Sequence, residues 1–246
     1  MPCATTFLAS ARSHKNMTLQ ADLEAETGKI VRSAWTTRNG TVVPGDDSVT
    51  LGNDGVEIDA TVLYADLADS TDMVNYYKPQ FSAEVYKAFL HCCAKIIRSE
   101  GGEITAYDGD RIMAVYIGDS KNTSAVRTSM KIAWAVRNIV QSAFNGFYTS
   151  TPFELKHVCG VDTSTLFVAK TGVRGANDLV WVGRAANYAA KLSAMPSSHS
   201  KYITEAIYSN MNDSVKYSNG TNMWEACGDL KGTNIYRSTW WWQTLG

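Results

Sequence analysis

The sequence predicts an α+β sandwich, a mainly antiparallel sheet with helices segregated on one face. Three observations point there. Apolar β-type runs and helical stretches alternate in the order strand, helix, helix, strand, strand, helix, strand, strand, helix. Residues 103–108 and 111–117 flank a tight turn at Asp108, Gly109 and Asp110, which joins them as a hairpin. Two of the helical stretches carry a regular apolar face that a sheet would cover.

Residues 1–55 read as a lead-in to a main domain over 56–246. Thr18 is placed to cap a helix running to about Trp35. Asn39 and Gly40 sit between β-formers and predict a small hairpin. Residues 44–55 are rich in turn formers and read as a linker. The strand at 56–66 is almost continuously apolar, as expected at the centre of a covered sheet. A short helix over 69–77 follows. Ser82 then caps a longer one, whose Phe81, Val85, Phe89, Cys93 and Ile97 recur every fourth residue until Gly101 and Gly102 stop it. After the hairpin, 122–144 is helical, with Val126, Met130, Ala133, Val136, Val140 and Ala143 on one face. Residues 153–172 supply two strands, 184–195 a helix, and 223–242 a β-rich close in which Trp240, Trp241 and Trp242 form a late strand packed on the N-terminal segment or at an interface between copies of the chain, with an exposed partner surface as the alternative.

Bulk properties restrict the class. The 246 residues suit one sizeable domain with a small appendage, and a net charge of −1 gives no reason to expect a nucleic-acid partner. No apolar run approaches the roughly 20 residues of a membrane span. The opening residues lack the charged-then-apolar order of a secretory signal, and the five cysteines have no CxxC spacing, so a cytoplasmic protein is expected. The four histidines are scattered, which argues against zinc.

The chemistry lies in two segments, 60–71 and 104–116, where β-type runs carry Asp66 and Asp110 into polar turns. Each aspartate alone fits two readings. Asp66 caps the next helix or binds metal, and Asp110 completes a turn or binds metal. Read together, two carboxylates from adjacent strand ends, with the backbone carbonyl of Leu67, form an oxygen set for two divalent ions, Mn²⁺ or Mg²⁺, over a nucleotide triphosphate. Asp108 and Asp69 take supporting or capping roles, and backbone N–H groups of the turn 67–71 are placed for phosphates. Asn187 and Lys191 lie four apart on one helix face, where an amide can orient a ribose and a cation can meet phosphate charge.

Taken together, these segments resemble the class III nucleotidyl cyclase catalytic domain over about residues 57–238. Asp66 with Leu67, Gly109 with Asp110, and Asn187 with Lys191 match its motifs, lysine standing where arginine is usual. The resemblance implies a ferredoxin-like core and a head-to-tail homodimer, one protomer supplying the metal aspartates and the other the Asn187 helix. It also makes Asn187 and Lys191 catalytic and sets Lys231, between Leu230 and Gly232, on the triphosphate.

Two departures bear on the substrate. Purine cyclases read the base with polar residues where this chain has Ala106 and Val180. Tyr64 adds a hydroxyl where phenylalanine is usual, and Arg111 adds a five-donor fork, both suited to the smaller pyrimidine ring. Tyr64, the run 107–116 and Lys191 resemble the Pycsar pyrimidine cyclases of bacterial antiphage defence. That likeness implies conversion of UTP, or CTP, to a cyclic monophosphate that activates a separate effector. An adenylate cyclase with atypical base reading and a catalytically silent nucleotide-binding sensor remain the alternatives.

Overall fold

A computed structural model describes residues 18–243. Residues 1–17, with Cys3 and His14 and the expected start of the lead-in, and residues 244–246 lie outside the described residues. The first helix, α1 (Leu19–Arg32), is capped as expected, Thr18 Oγ1 accepting from the Ala21 N–H. None of its residues is buried, and the Asn53 side chain ties its end by donating to the Ile30 and Ser33 carbonyls.

β1 (Thr36–Asn39) overturns the expected hairpin. It runs parallel to β2 (Asp54–Leu67), Thr36 opposite Asp54 and Asn39 opposite Glu57. Gly40 serves close approach rather than a turn: a Cβ there would sit 2.6 Å from Val56 Cγ1, while its N–H donates to Glu57 O. β2 starts at Asp54, inside the stretch read as linker. Then come α2 (Ser70–Tyr76) and α3 (Pro79–Ser99). α3 begins three residues before Ser82, because Pro79 at its first position supplies a ready start. Ser82 is buried instead, its hydroxyl without a partner. The stripe Phe81, Val85, Phe89, Cys93 and Ile97 is buried as predicted.

β3 (Glu103–Asp108) and β4 (Arg111–Tyr116) form the expected hairpin, with Gly109 left-handed at φ 63°. The next helix is continuous but not uniform. α4 (Lys121–Ala135) passes through a π-turn, Val136–Val140, into α5 (Gln141–Phe147). The extra residue in a π-turn advances the buried face by one position, so Phe144 is buried and Ala143 exposed. The stretch read as two strands contributes one long strand, β5 (His157–Val173), and its hairpin partner is β6 (Ala176–Val182). α6 (Arg184–Ser193) is followed by β7 (Lys201–Thr204) and α7 (Glu205–Asn210), both unanticipated. A small hairpin, β8 (Tyr217–Ser218) with β9 (Thr221–Asn222), precedes β10 (Glu225–Leu230) and β11 (Thr233–Ser238).

The main sheet runs β10-β11-β7-β5-β2-β4-β3, with β1 also on β2 and β6 also on β5. All pairings are antiparallel except β1–β2 and β5–β7. Alternation along β2 divides the core. Leu63, Ala65 and Leu67 face α3, α4 and α7, while Val56, Ile58, Ala60 and Val62 face Ala185, Ala186 and Ala189 of α6. Helices thus occupy the expected face, and α6 occupies the other. The tryptophans lie beyond β11 rather than in a strand. Trp242 packs on the helical core and its N–H reaches Met130 O, while Trp240 and Trp241 stay partly exposed. Among the described residues no helix is long and apolar enough to cross a membrane.

Candidate active site

Sheet register assembles the carboxylate end of the candidate site. β2 pairs with β4 so that Asp66 lies opposite Arg111, and β4 pairs with β3 so that Arg111 lies opposite Asp108. Two residues along, Tyr64, Met113 and Ala106 form the neighbouring row. Both rows face the α6 side. Arg111 donates to Asp108 Oδ2 at 2.7 Å and holds its guanidinium 5.3 Å from the Tyr64 ring centre. Burial raises the Tyr64 pKa against the opposing pull of Arg111, so its hydroxyl stays protonated. The role expected for Asp108 thus resolves as a tether on Arg111.

Asp110 follows in the turn, and its Oδ2 is buried with no hydrogen-bond partner. Burial first, and the Asp110 charge second, push the Asp66 pKa up to about 6. Two carboxylates brought within electrical reach, one with a buried orphan oxygen, fit divalent ions. The Leu67 carbonyl lies at the same strand end, and the set is two carboxylates rather than a cluster of three or more His, Cys, Asp or Glu, which does not occur among the described residues. Asp69 heads α2 in a left-handed conformation and makes no side-chain cap, which corrects the capping expectation. One turn N–H expected to face phosphates, that of Ala68, is taken by Lys156 O.

α6 is docked tightly on β5. Arg184 pairs with the fully buried Asp162 at 3.2 Å and donates to Thr163 O, Ser164 Oγ accepts from the Ala185 N–H, and Thr204 donates to Asp162. Gly160 lies directly beneath: a Cβ there would meet Ala189 O at 2.1 Å. With its alanines against the sheet, α6 turns Asn187 and Lys191 outward, both exposed. Asn187 Nδ2 donates within the helix to Gly183 O. Lys191 sits beside Lys231, whose ammonium holds the Lys191 pKa below the usual lysine range. Lys231 occupies the β10–β11 turn at φ 50°.

The site residues therefore fall into two groups. Tyr64, Asp66, Leu67, Asp110 and Arg111 are together, and Lys191 and Lys231 are together with Asn187 one turn away. The charges acting on Asp66 are those of Asp110, Arg111 and Asp108, not those of the lysines. Tyr86 of α3 was not anticipated: burial first, and then the charges of Asp110 and Asp66, raise its pKa, so its hydroxyl borders the carboxylates. Its place beside the apolar stripe at Val85 gave no sequence signal.

A uridylate cyclase of Xanthomonas perforans is 54% identical over 230 residues, covering 92% of this chain and 99% of its own length. The chain belongs to the uridylate cyclase family. Uridylate cyclases of Burkholderia cepacia and Rhodovulum sp. (strain MB263) are 49% and 36% identical, each across 92% of this chain. No family model matches. Among solved structures, the adenylyl cyclase CyaB from P. aeruginosa superposes with a TM-score of 0.65 at 20% identity, covering 78% of this chain and 99% of its own. The guanylyl cyclase Cya2 gives 0.63 at 19% identity, covering 75% and 92%. The fold is that of class III nucleotidyl cyclases, and the protein is a nucleotidyl cyclase. The two positions that the resemblance assigns to purine reading hold Ala106, half-buried beside Met113, and Val180 of β6, opposite Ala169 of β5.

Proposed function

We propose that this cyclase converts UTP to its 3′,5′-cyclic monophosphate and pyrophosphate, with CTP as the alternative substrate, using two divalent ions, Mn²⁺ or Mg²⁺, held by Asp66, Asp110 and the Leu67 carbonyl. The observation that carries this reading is the shared face of Asp66, Arg111 and Tyr64 beside the orphan oxygen of Asp110. Bound there, such ions lower the pKa of the ribose 3′-hydroxyl and spread the phosphate charge. The reaction forms a bond from O3′ to the α-phosphorus and breaks the bond to pyrophosphate.

This chain's residues supply the rest. Burial around Asp66 thins the water near the reacting phosphate. Arg111, with its Nε buried and unpartnered, and the Tyr64 hydroxyl offer donors to the pyrimidine O2 or O4. Asn187 orients the ribose, and Lys191 and Lys231 meet the triphosphate. Because these are exposed and the charges acting on Asp66 do not include the lysines, we place the complete site across a head-to-tail homodimer with two equivalent sites. The names of the relatives support uracil over cytosine. Free Cys92, Cys93, Cys159 and Cys227 support a reducing, cytoplasmic setting. The likeness to defence cyclases supports a messenger role in antiphage signalling through a separate effector.

The test is incubation of purified protein with Mn²⁺ and each of UTP, CTP, ATP and GTP. Cyclic UMP is expected. Product from ATP or GTP alone overturns the reading, and absence of turnover with retained nucleotide binding identifies a silent sensor instead.

A further inference from the structure

On the sheet face opposite Asp66, a cavity of about 450 Å³ opens between the α4 π-turn, the first residues of β5 and the loop 197–200. Arg137, Lys156, His157, Ser197, Ser198 and Trp241 are among its walls. Its volume falls in the range of small-ligand sites. A π-turn in the wall is the kind of local irregularity that recurs at functional sites.

Three features give the cavity a chemical preference. His157 is only 5% exposed and lines it, yet its Nε2 has no hydrogen-bond partner. Behind the wall, Lys201 is fully buried, and its Nζ donates to Ser200 Oγ and to the Trp240 carbonyl rather than to a carboxylate. Arg137, on the π-turn, lays its guanidinium 6.0 Å from the Trp241 ring centre and makes no ion pair among the described residues. The one carboxylate in the wall, Glu154, is already against Lys156 at 3.5 Å. The standing unpaired charge at the cavity is thus that of Arg137, with hydroxyl donors beside it, while burial holds His157 neutral, its pKa lowered to about 3, and lowers the Lys201 pKa to about 7. A nearby anion would restore its charge.

We propose that this cavity is an effector site for a phosphate-bearing anion, with Arg137 and the serine hydroxyls as its outer contacts and His157 and Lys201 behind them. Arg137 and the serine hydroxyls come from different elements of the wall and offer donors of the kind that bind phosphate oxygens. The site also has a physical link to the catalytic end. Lys156 O accepts the Ala68 N–H just beyond Asp66, and His157 pairs across the sheet with Leu67.

The test is calorimetry on the full-length, metal-free protein with inorganic phosphate, pyrophosphate and UMP as separate probes, comparing wild type, Arg137→Ala and Lys231→Ala. Both replaced side chains are exposed, and circular dichroism checks that each variant is folded. At least one probe is expected to bind saturably, with affinity about tenfold or more weaker in Arg137→Ala and unchanged in Lys231→Ala. Preference for phosphate or pyrophosphate over UMP would identify a free oxyanion, and the reverse a nucleotide. No saturable binding by any probe overturns the proposal. Binding that survives Arg137→Ala, or that Lys231→Ala weakens equally, also overturns it, because it then belongs elsewhere or to the substrate site.

Discussion

Gly160→Ala introduces a methyl group where β5 and α6 touch. The added carbon would lie 2.1 Å from Ala189 O, 2.5 Å from Ser193 N and 2.8 Å from Leu192 Cβ. Two of those atoms are helix backbone, so no side-chain rotation relieves the clash. Ordinary contact begins at 3.4 Å, which obliges α6 to retreat by about 1.3 Å. Overpacking of this kind costs about 1–3 kcal/mol, offset by up to about 1 kcal/mol because alanine suits a strand better than glycine. The net of about 0–3 kcal/mol should lower the melting temperature of a chain of this length by up to about 12 °C. Turnover should suffer more than stability. α6 carries Asn187 and Lys191, and a displacement near 1 Å costs about 100-fold in rate. Thermal unfolding and initial-rate measurements on the same preparation separate the two effects. Gly146→Ala is the control, because nothing lies within 4 Å of a Cβ there and the position is helical. It should be neutral or stabilising by up to about 1 kcal/mol. Wild-type turnover in Gly160→Ala would refute the claim that close docking of α6 sets the reactive geometry.

Other perturbations address the metal end and the assembly. Arg111→Met should lower kcat/KM for UTP by about 5- to 150-fold, the 1–3 kcal/mol of lost pairing to a buried donor, while Mn²⁺ binding by calorimetry persists. Asp110→Ala and Asn187→Ala should each be inactive, yet their mixture should regain about one quarter of wild-type activity, since half the dimers are mixed and each holds one intact site; no recovery, with dimers present by sedimentation, would rule out the shared site. The Asp66 pKa, raised from 3.8 to about 6, means that the folded metal-free protein holds this proton more tightly than the unfolded chain. Stability from this group is therefore complete below about pH 4 and lost as pH rises through 6. The shift amounts to about 3 kcal/mol, or about 1–2 kcal/mol after solvent screening of a partly open group. Urea unfolding at pH 4.5 and 7 should reveal that loss in wild type and not in Asp66→Asn. Apparent Mn²⁺ affinity should drop about tenfold per pH unit below 6, because ion and proton compete for the carboxylate.

Local signals carried the strands and register that bring Asp66, Asp110 and Arg111 to one end of the sheet. An apolar run ending in Asp66 and a two-residue turn before Arg111 specify strand, register and charge within a dozen residues, and the structure keeps that register. Features set by distant contacts were illegible. Gly40 looks like a turn until Val56 and Ile58 are seen packed on its bare Cα. Ser82 looks like a cap because burial of its hydroxyl cannot be read from a polar residue in a helical pattern. The π-turn moved burial from Ala143 to Phe144 without any breaker residue to announce it. β7 is four residues long, and its Lys201 is polar by type yet wholly enclosed. The separation of Asn187 and Lys191 from Asp66 is likewise a property of three-dimensional placement that no spacing encodes.

The neighbouring ammonium groups of Lys191 and Lys231 have a kinetic corollary. Held side by side by a helix and a left-handed turn, they repel each other until a polyanion lies between them. On the proposed mechanism, pyrophosphate inherits that grip once the ring has closed, and its departure restores the repulsion. Two point charges release a departing anion more readily than the planar fork of arginine would. Lysine at 191 trades some hold on the leaving group for quicker clearance of the catalyst, so its replacement by arginine should shift the slow step from bond making towards product escape.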